Sequence, residues 1–417
     1  MDILNIDNRE LCQILNSILF GFLLLWYTKK NKKGKFNQTT LTLSIWFFSS
    51  ISGILYVFSE NSYIGQGKAN FYYVFLIFLL FLLFSWPLIS LKERTLESYD
   101  YDNSNFLKFT CIFISIISIL PFTENVIHLF SGNTFEEMGA YHDELIVKSS
   151  AKHLSWLGIR LTSIMSWFRY LTPVLFFNYI NQKNTNKNKY IICGLLIALI
   201  NNSVNSFSIG ARNIVVQEMS QLLFLYLFMR KTINPKLRKQ IVKLSTGFIL
   251  ILVLGITIIT IYRFSNSTNE TLEESIFRYS GEGFNNLYTD MLYVKTHTYG
   301  LHIFRTIFNM TPESLSAITG VRMFVFYTFI GDFIADFDIF GTIIIFSFTS
   351  IIIYHTNIRS KKSGFLSLSI LSIYADIIIS GYMYVPFMNY STAIPFFLGY
   401  IIFYSFISKK KVVSSQK

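Results

Sequence analysis

The chain has 417 residues, of which 52% are hydrophobic, 18% aromatic and only 14% charged. Its mean hydropathy is +0.44, and a soluble domain usually carries about 25% charged residues. These values exclude an ordinary soluble domain and predict a polytopic membrane protein. The net charge of +12 is scattered over many short segments, so it does not indicate a nucleic-acid-binding patch.

Apolar runs long enough to cross a bilayer, about 20 residues each, recur along the whole chain. We predict a single all-α transmembrane domain over residues 1–417, with about eleven spanning helices at 10–28, 39–58, 70–91, 105–121, 156–179, 190–209, 213–229, 244–262, 336–355, 365–382 and 391–408.

Clusters of lysine and arginine predict how these helices are oriented. The clusters fall at alternate ends of the helix series, at 29–35, 92–94, 183–189, 230–239, 359–362 and 409–411. Short basic loops remain in the cytoplasm. The amino terminus is therefore predicted to lie outside and the carboxyl terminus in the cytoplasm.

Two outward segments, 122–155 and 263–325, are longer than simple connections. Loops of this length are often functional. The second begins with the pattern "TLEESIF" at 271–277, in which Thr271 is placed to cap a helix with Glu274 three residues later. We therefore expect a large outward loop that is ordered and partly helical.

Several polar residues fall at membrane depth, and burying a charge there is costly. They predict a polar vestibule, and they are Arg169, Asn201, Asn202, Asn205, Gln217, Glu218 and Asp376. The alternative is that Arg169 and Glu218 neutralise one another and only hold two helices together.

Arginine is unusually frequent on the predicted outer face, where the positive-inside rule expects few cations. The residues concerned are Arg160, Arg169, Arg212, Arg278, Arg305 and Arg322. Arginine binds phosphate through two parallel hydrogen bonds, so the group predicts an anionic ligand such as a pyrophosphate. For each arginine alone, a snorkelling or ion-paired surface residue is the alternative.

Three short motifs carry a resemblance to a known family. "SIGARN" (208–213), "RYSGEGFNN" (278–286) and "FYTFIGDFIADFDIFGT" (326–342), together with the hydropathy of the whole chain, resemble bacterial Wzy-type oligosaccharide repeat unit polymerases. The resemblance implies a glycosyltransferase of GT-C type in the bacterial inner membrane. It implies synthesis of O-antigen, as in lipopolysaccharide, or of a related surface polysaccharide.

The resemblance also implies the reaction and its partners. The growing glycan would move from undecaprenyl pyrophosphate onto the non-reducing end of a new lipid-linked repeat unit. The partners would be undecaprenyl-pyrophosphate-linked oligosaccharides and membrane lipid, with a chain-length regulator as a further candidate. The donor bond supplies the driving force and the chain has no Walker-type phosphate loop, so no cofactor is expected.

The same reaction needs cations for the pyrophosphates and a carboxylate to accept a proton. The candidate cations are Arg212 and Arg278, then Arg160, Arg169 and Arg322. The candidate carboxylates are Glu282 and Asp332, then Asp336. Asp332 and Asp336 are four residues apart and would share one helical face. Asp338 would not share it, and we expect it to be a solvated or capping residue where the span begins at Phe337 or later.

Metal and disulfide chemistry are not indicated. The outward histidines lack metal-ligand spacing and are expected to be solvated loop residues, namely His128, His142, His153, His297 and His302. Of these, His142 and His297 are candidate sugar contacts. Cys12, Cys111 and Cys193 have no paired spacing, so neither a disulfide nor a zinc site is expected.

Other functions remain open at this point. A flippase for lipid-linked oligosaccharides would also need a polar cavity and cationic sites. An O-antigen ligase would use a similar donor with a different acceptor. A non-catalytic partner of a polysaccharide machine is the third alternative.

Overall fold

The computed structural model describes residues 8–31, 36–59, 69–90, 98–102, 104–131, 154–181, 188–208, 213–265, 272–290, 293–323, 327–358, 362–389 and 392–414. The helices are α1 (Asn8–Lys30), α2 (Gln38–Val57), α3 (Phe71–Ser90), α4 (Asn105–Phe130), α5 (Trp156–Trp167), α6 (Leu171–Ile180), α7 (Lys189–Ser208), α8 (Asn213–Met229), α9 (Pro235–Ser265), α10 (Leu272–Thr289), α11 (Pro312–Thr319), α12 (Phe329–Ile353), α13 (Phe365–Ser380) and α14 (Ala393–Ser414). Two three-residue strands, β1 (Ser98–Asp100) and β2 (Lys362–Gly364), pair in parallel with Ser98 opposite Lys362.

The helices agree with an all-α, membrane-embedded protein. Among the described residues, five helices are long and apolar enough to cross a bilayer, at Asn8–Lys30, Gln38–Val57, Phe71–Ser90, Asn105–Leu129 and Phe329–Asn357. Four shorter apolar helices lie at Leu171–Ile180, Ile214–Met229, Phe365–Ser380 and Ala393–Ile407. Each of the eleven predicted spans falls on one or more helices.

The helices at some predicted spans have other bounds than those spans. The span predicted at 156–179 is two helices, α5 and α6, because helical hydrogen bonding is interrupted by a turn at Phe168–Tyr170. The Phe168 carbonyl accepts the N–H groups of Leu171 and Thr172 and closes this turn. The span predicted to end at 121 continues to Phe130, with Pro121 inside the helix.

The chain divides into two compact units. The first comprises Met1–Arg94, Asn269–Ser360 and Tyr374–Ser391, and the second comprises Thr95–Thr268, Lys361–Ile373 and Thr392–Lys417. The first unit has an aromatic core centred on Trp46, whose ring centroid lies 4.5 Å from Phe81 and 5.6 Å from Phe284. The Trp46 indole N–H donates to the carbonyl of Ile378 at 2.7 Å, so the buried ring keeps its polar atom paired.

Side chains of α12 and α13 complete the hydrogen bonding of α3 in the first unit. Pro87 lies inside α3 and supplies no N–H to the carbonyl four residues earlier. The Ser350 hydroxyl donates to that carbonyl, of Leu83, at 2.6 Å. The Tyr374 hydroxyl donates to the next carbonyl, of Phe84, at 2.9 Å. A backbone group freed in an apolar helix is thereby satisfied.

The motif "RYSGEGFNN" lies within helix α10, and its two glycines let this helix approach the backbone of α2 and of Tyr382. A Cβ atom on Gly281 would overlap the backbone of Ser52 and Gly53 in α2. A Cβ atom on Gly283 would lie 2.7 Å from the carbonyl oxygen of Tyr382. The two glycines therefore allow close packing of α10, as small residues do between membrane helices.

Helix α12 changes direction at Asp338, which has φ 62° and ψ 174°. Residues 329–337 form a first helical piece, and the apolar helix continues after Asp338. This agrees with a span that begins at Phe337 or later. Asp332 and Asp336 lie in the first piece, and both are buried.

In the second unit, α4 packs closely on α7, where a Cβ atom on Gly194 would overlap the side chain of Ser115. The loop before α4 is anchored by Asn178 of α6, which donates to the Asp102 carbonyl at 2.8 Å.

Candidate functional site

A buried polar cluster of the first unit is built around Asp332 and His302. Asp332 Oδ1 lies 2.9 Å from His302 Nε2, and each side chain is 2% exposed. Asp332 Oδ2 accepts the backbone N–H of Val385 at 2.7 Å. The carboxylate is therefore held from two sides, by the turn that carries His302 and by the segment after α13.

Asp336 fixes the backbone of the same turn. Its carboxylate accepts the N–H groups of His302 at 3.1 Å and Ile303 at 2.9 Å, and it accepts the Thr298 hydroxyl. Tyr299 and Gly300 have φ values of 51° and 96°, and this bend directs successive N–H groups towards one anion. Asp336 therefore holds the turn in place for His302.

These contacts set the tautomer of His302. The Asp332 carboxylate accepts hydrogen bonds, so the proton of the neutral ring is assigned to Nε2. Nδ1 then carries the lone pair, and it is buried without a hydrogen-bond partner among the described residues. An imidazole held by a carboxylate at one nitrogen is arranged to accept a proton at the other.

Arg305, one turn beyond His302, adds a cation to this cluster. Burial lowers the pKa of the Arg305 guanidinium, and the negative charge of Asp332 opposes that shift. Arginine keeps its charge in proteins, so Arg305 is a partly buried cation within electrostatic reach of Asp332. We refer to Asp332, His302 and Arg305 as the histidine–aspartate site.

Arg322, predicted to bind pyrophosphate, forms an ion pair with Asp290. Its Nη2 lies 3.3 Å from Asp290 Oδ2, and Asp290 is fully buried. The Tyr327 hydroxyl lies 3.1 Å from the same oxygen, and burial, with the charge of Asp290, raises the pKa of this phenol. The ion-paired alternative therefore describes Arg322 in this structure.

Two further predicted residues lie on α10. Glu282 is buried, and its Oε1 accepts a hydrogen bond from Asn286 Nδ2 at 3.0 Å. The Arg278 guanidinium carbon lies 5.4 Å from the centre of the Tyr279 ring. Gly283 packs this helix against the carbonyl of Tyr382, three residues before the amide that binds Asp332.

Arg160 and Arg169 belong to the second unit. Arg169 Nη1 lies 3.4 Å from Glu218 Oε1, with both side chains buried, and the Ser203 hydroxyl donates to Glu218 Oε2 at 2.8 Å. This contact corresponds to the alternative given from the sequence, in which Arg169 and Glu218 neutralise one another instead of binding a ligand. Arg160 is exposed near the start of α5, 5.7 Å from the centre of the Trp156 ring. Arg212 and His142 lie outside the described residues.

The expectation that His302 is a solvated loop residue is wrong, because its ring is buried and bonded to Asp332. A sequence signal was present: His302 is followed by Ile303 and Phe304 and preceded by Leu301, which indicates an apolar environment. The prediction that Asp332 and Asp336 share a helical face is confirmed, because both bind the same residue.

Metal ligation finds no support among the residues that the structure describes, where no group of three or more His, Cys, Asp or Glu side chains could hold an ion. Among the residues that the structure describes, Cys12, Cys111 and Cys193 form no disulfide. Comparisons of the chain with protein-family models, with curated proteins and with solved structures find no match.

Proposed function

We propose that the protein is a membrane-embedded glycosyltransferase that polymerises lipid-linked oligosaccharide repeat units in the bacterial inner membrane. It moves the growing glycan from undecaprenyl pyrophosphate onto the non-reducing end of a new lipid-linked repeat unit. The observation that carries this proposal is the His302–Asp332 pair, at 2.9 Å, with Arg305 within electrostatic reach. The three motifs resembling Wzy-type polymerases supply the substrate class.

The pair supplies the proton acceptor that a glycosyl transfer requires. The acceptor hydroxyl gives its proton to His302 Nδ1 while its oxygen bonds to the anomeric carbon of the donor. Asp332 keeps the proton on Nε2 and stabilises the imidazolium that forms, as a carboxylate does beside a general base. Asp332 thus acts through His302 in this scheme, and Asp336 positions the turn.

The leaving group is a pyrophosphate whose charge increases as the bond from the anomeric carbon to oxygen breaks. Arg305, whose guanidinium interacts electrostatically with Asp332, is the first candidate to stabilise this charge, and Arg278 is a second candidate on α10. Fixed cations stabilise such a developing charge best where water is excluded. Arg212 remains a candidate from the sequence.

Burial of His302 fits a transferase, because water at this position would hydrolyse the donor. Nδ1 of His302 is buried in this structure. The residues that surround Nδ1 therefore have to move before the acceptor hydroxyl can reach it, as in active sites that close over substrates. A GT-C-like arrangement of about eleven spans, with the segment 263–325 on the outer face, is part of the same proposal.

A flippase and an O-antigen ligase are the competing functions. A flippase needs no proton acceptor beside a buried carboxylate, so the His302–Asp332 pair favours a transferase. A ligase would use the same donor chemistry with another acceptor, and a product assay separates the two.

The test uses purified full-length protein in liposomes that contain lipid A-core together with lipid-linked repeat units extracted from producing cells that lack this gene. The native protein is expected to yield a ladder of longer glycans on undecaprenyl pyrophosphate. Transfer to lipid A-core without a ladder would identify a ligase. Movement of intact repeat units across the bilayer, without new glycosidic bonds, would identify a flippase and contradict the proposal.

A further inference from the structure

An open cleft in the first unit is lined by residues of α3, α10, α12 and the segment that follows α10. It has a volume of about 540 Å³, its open mouth included. Tyr73 and Ile77 of α3 and Ile334 and Ile339 of α12 form apolar walls, and His297 and Asp338 add polar groups. The combination of apolar walls with a few polar groups is usual for small-molecule sites.

His297 is held in a defined orientation in this cleft. Its Nδ1 lies 3.0 Å from the carbonyl oxygen of Ile334 and 3.3 Å from that of Ala335. A carbonyl only accepts hydrogen bonds, so Nδ1 carries a proton. In the neutral ring, Nε2 therefore presents a lone pair.

Nε2 of His297 and Oδ1 of Asp338 lie 3.8 Å apart, with side chains that are 27% and 50% exposed. With a neutral ring, the cleft presents two hydrogen-bond acceptors side by side. Two adjacent acceptors are matched by two adjacent donors, such as neighbouring hydroxyl groups.

The backbone of Asp338 gives a second reason to assign a ligand here. Its φ of 62° and ψ of 174° lie in a region that is essentially restricted to glycine. A solvated or capping role does not require an aspartate in this conformation. Strained residues of this kind concentrate at ligand sites, where the side chain is needed in one position.

We propose that this cleft binds one pyranose ring of the acceptor glycan, with two neighbouring hydroxyls donating to His297 Nε2 and Asp338 Oδ1. The apolar face of the ring lies on Tyr73 and Ile77. This inference rests on the proposed function, and it adds the residues that recognise the acceptor sugar. His297 and His302 are five positions apart in the chain, so four residues connect the cleft to the proton acceptor.

Other ligand classes fit the cleft less well. A hydrocarbon chain would remove water from the Asp338 carboxylate and offer it no hydrogen bond, which is unfavourable. A metal ion usually needs more protein ligands than these two side chains, and no larger group occurs among the described residues.

The test measures binding of methyl glycosides to the full-length protein in lipid nanodiscs by saturation-transfer NMR. The probes are the methyl glycosides of glucose, galactose, mannose and N-acetylglucosamine. Tetrahydropyran-2-methanol, which lacks the neighbouring hydroxyls, is the ligand control, and farnesol is the apolar competitor. At least one glycoside is expected to bind through its ring C–H protons, and neither control is expected to displace it.

Three variants separate the carboxylate from the backbone strain. Asp338→Asn keeps the shape, and Asp338→Gly removes both the side chain and the strain. Both are expected to weaken glycoside binding at least ~10-fold, as expected for losing a hydrogen bond to a charged group. Glu313→Gln removes an exposed carboxylate elsewhere in this unit and is expected to bind like the native protein.

Each outcome decides the inference. Unchanged binding in Asp338→Gly, displacement by farnesol, or no binding of any glycoside by the native protein would overturn the sugar subsite. A glycan ladder that persists unchanged in Asp338→Asn would overturn the subsite and leave the polymerase proposal intact. Glycoside binding that depends on Asp338, in a protein that makes no ladder, would support the subsite and contradict the polymerase proposal.

Discussion

Asp332 and Asp336, one helical turn apart in α12, hold the same residue, His302, at its two ends. Asp332 Oδ1 binds the ring at Nε2 at 2.9 Å, and Asp336 binds the backbone N–H at 3.1 Å. One carboxylate therefore controls the protonation of the imidazole, and the other controls where its backbone lies. The two aspartates have different roles, and substitutions should separate them.

His302→Gln should abolish glycan polymerisation with little loss of stability. The glutamine amide nitrogen can replace Nε2 as the donor to Asp332, but nothing replaces the lone pair on Nδ1. Loss of a general base typically lowers the rate about 10²–10⁴-fold. The measurement is ladder formation in liposomes, with the thermal inactivation midpoint of His302→Gln as the control for folding. Polymerisation at the native rate in His302→Gln would rule out this residue as the proton acceptor.

Asp332→Asn should inactivate the protein through the tautomer of His302. The Val385 N–H requires an oxygen at one position of the side chain, so the amide N–H₂ faces His302 Nε2. The neutral ring then carries its proton on Nδ1. Nδ1 therefore has no lone pair to accept the proton of the acceptor hydroxyl. We expect a loss on the order of 10²–10⁴-fold in the polymerisation rate. The position of the ring proton can be measured by ¹⁵N NMR of histidine-labelled protein, and an unchanged tautomer would contradict this explanation.

Asp336→Asn should mainly lower stability. The Asp336 carboxylate accepts three hydrogen bonds from the turn at 298–303, and an amide places a donor against one of them. Leaving a buried donor unpaired costs about 1–3 kcal/mol. We expect a lower thermal inactivation midpoint, with the remaining folded protein still active at low temperature. Full stability with complete loss of activity would instead place Asp336 in the chemistry.

The sequence was sufficient to place helical structure at each predicted span and to put Asp332 and Asp336 on one face, because hydrophobic length and four-residue spacing are local properties. It was not sufficient for the partners of these residues. His302 is 30 residues from Asp332, and Val385 is 53 residues from it, so only the tertiary fold brings them together. Arg322 illustrates the same limit, because its ion pair with Asp290 is formed across 32 residues.

The motif "SGEGF" lies in the outward segment that was predicted to be partly helical, and it forms part of α10. The sequence did not explain its two glycines, because glycine lowers helix propensity. In the structure these glycines are required because α10 lies against the backbone of α2 and of Tyr382. Packing of this kind depends on distant segments, and helix propensity takes no account of it.

Gly281→Ala should destabilise the protein by about 1–3 kcal/mol or more, as overpacked sites do. Its Cβ would overlap backbone atoms of Ser52 and Gly53, which cannot move aside as a flexible side chain does. Gly247→Ala in α9 is the matched control, because a Cβ there meets no atom within 4 Å. The control should be neutral or slightly stabilising, since alanine favours helix over glycine. Equal melting midpoints for the two variants would contradict the close approach of α10 and α2.

The double substitution Arg169→Met with Glu218→Met tests whether this pair binds ligand or only supports the helices. Removing one member of a buried ion pair leaves an unpaired charge and costs about 3–5 kcal/mol, whereas apolar residues of similar volume at both positions are often neutral. Arg169 and Glu218 lie 3.4 Å apart and are both buried, so each single variant should be unstable and the double variant should recover stability. We expect the double variant to form the glycan ladder. A stable double variant that forms no ladder would show instead that Arg169 is needed for the pyrophosphate, and the pairing with Glu218 would then describe the unliganded protein alone.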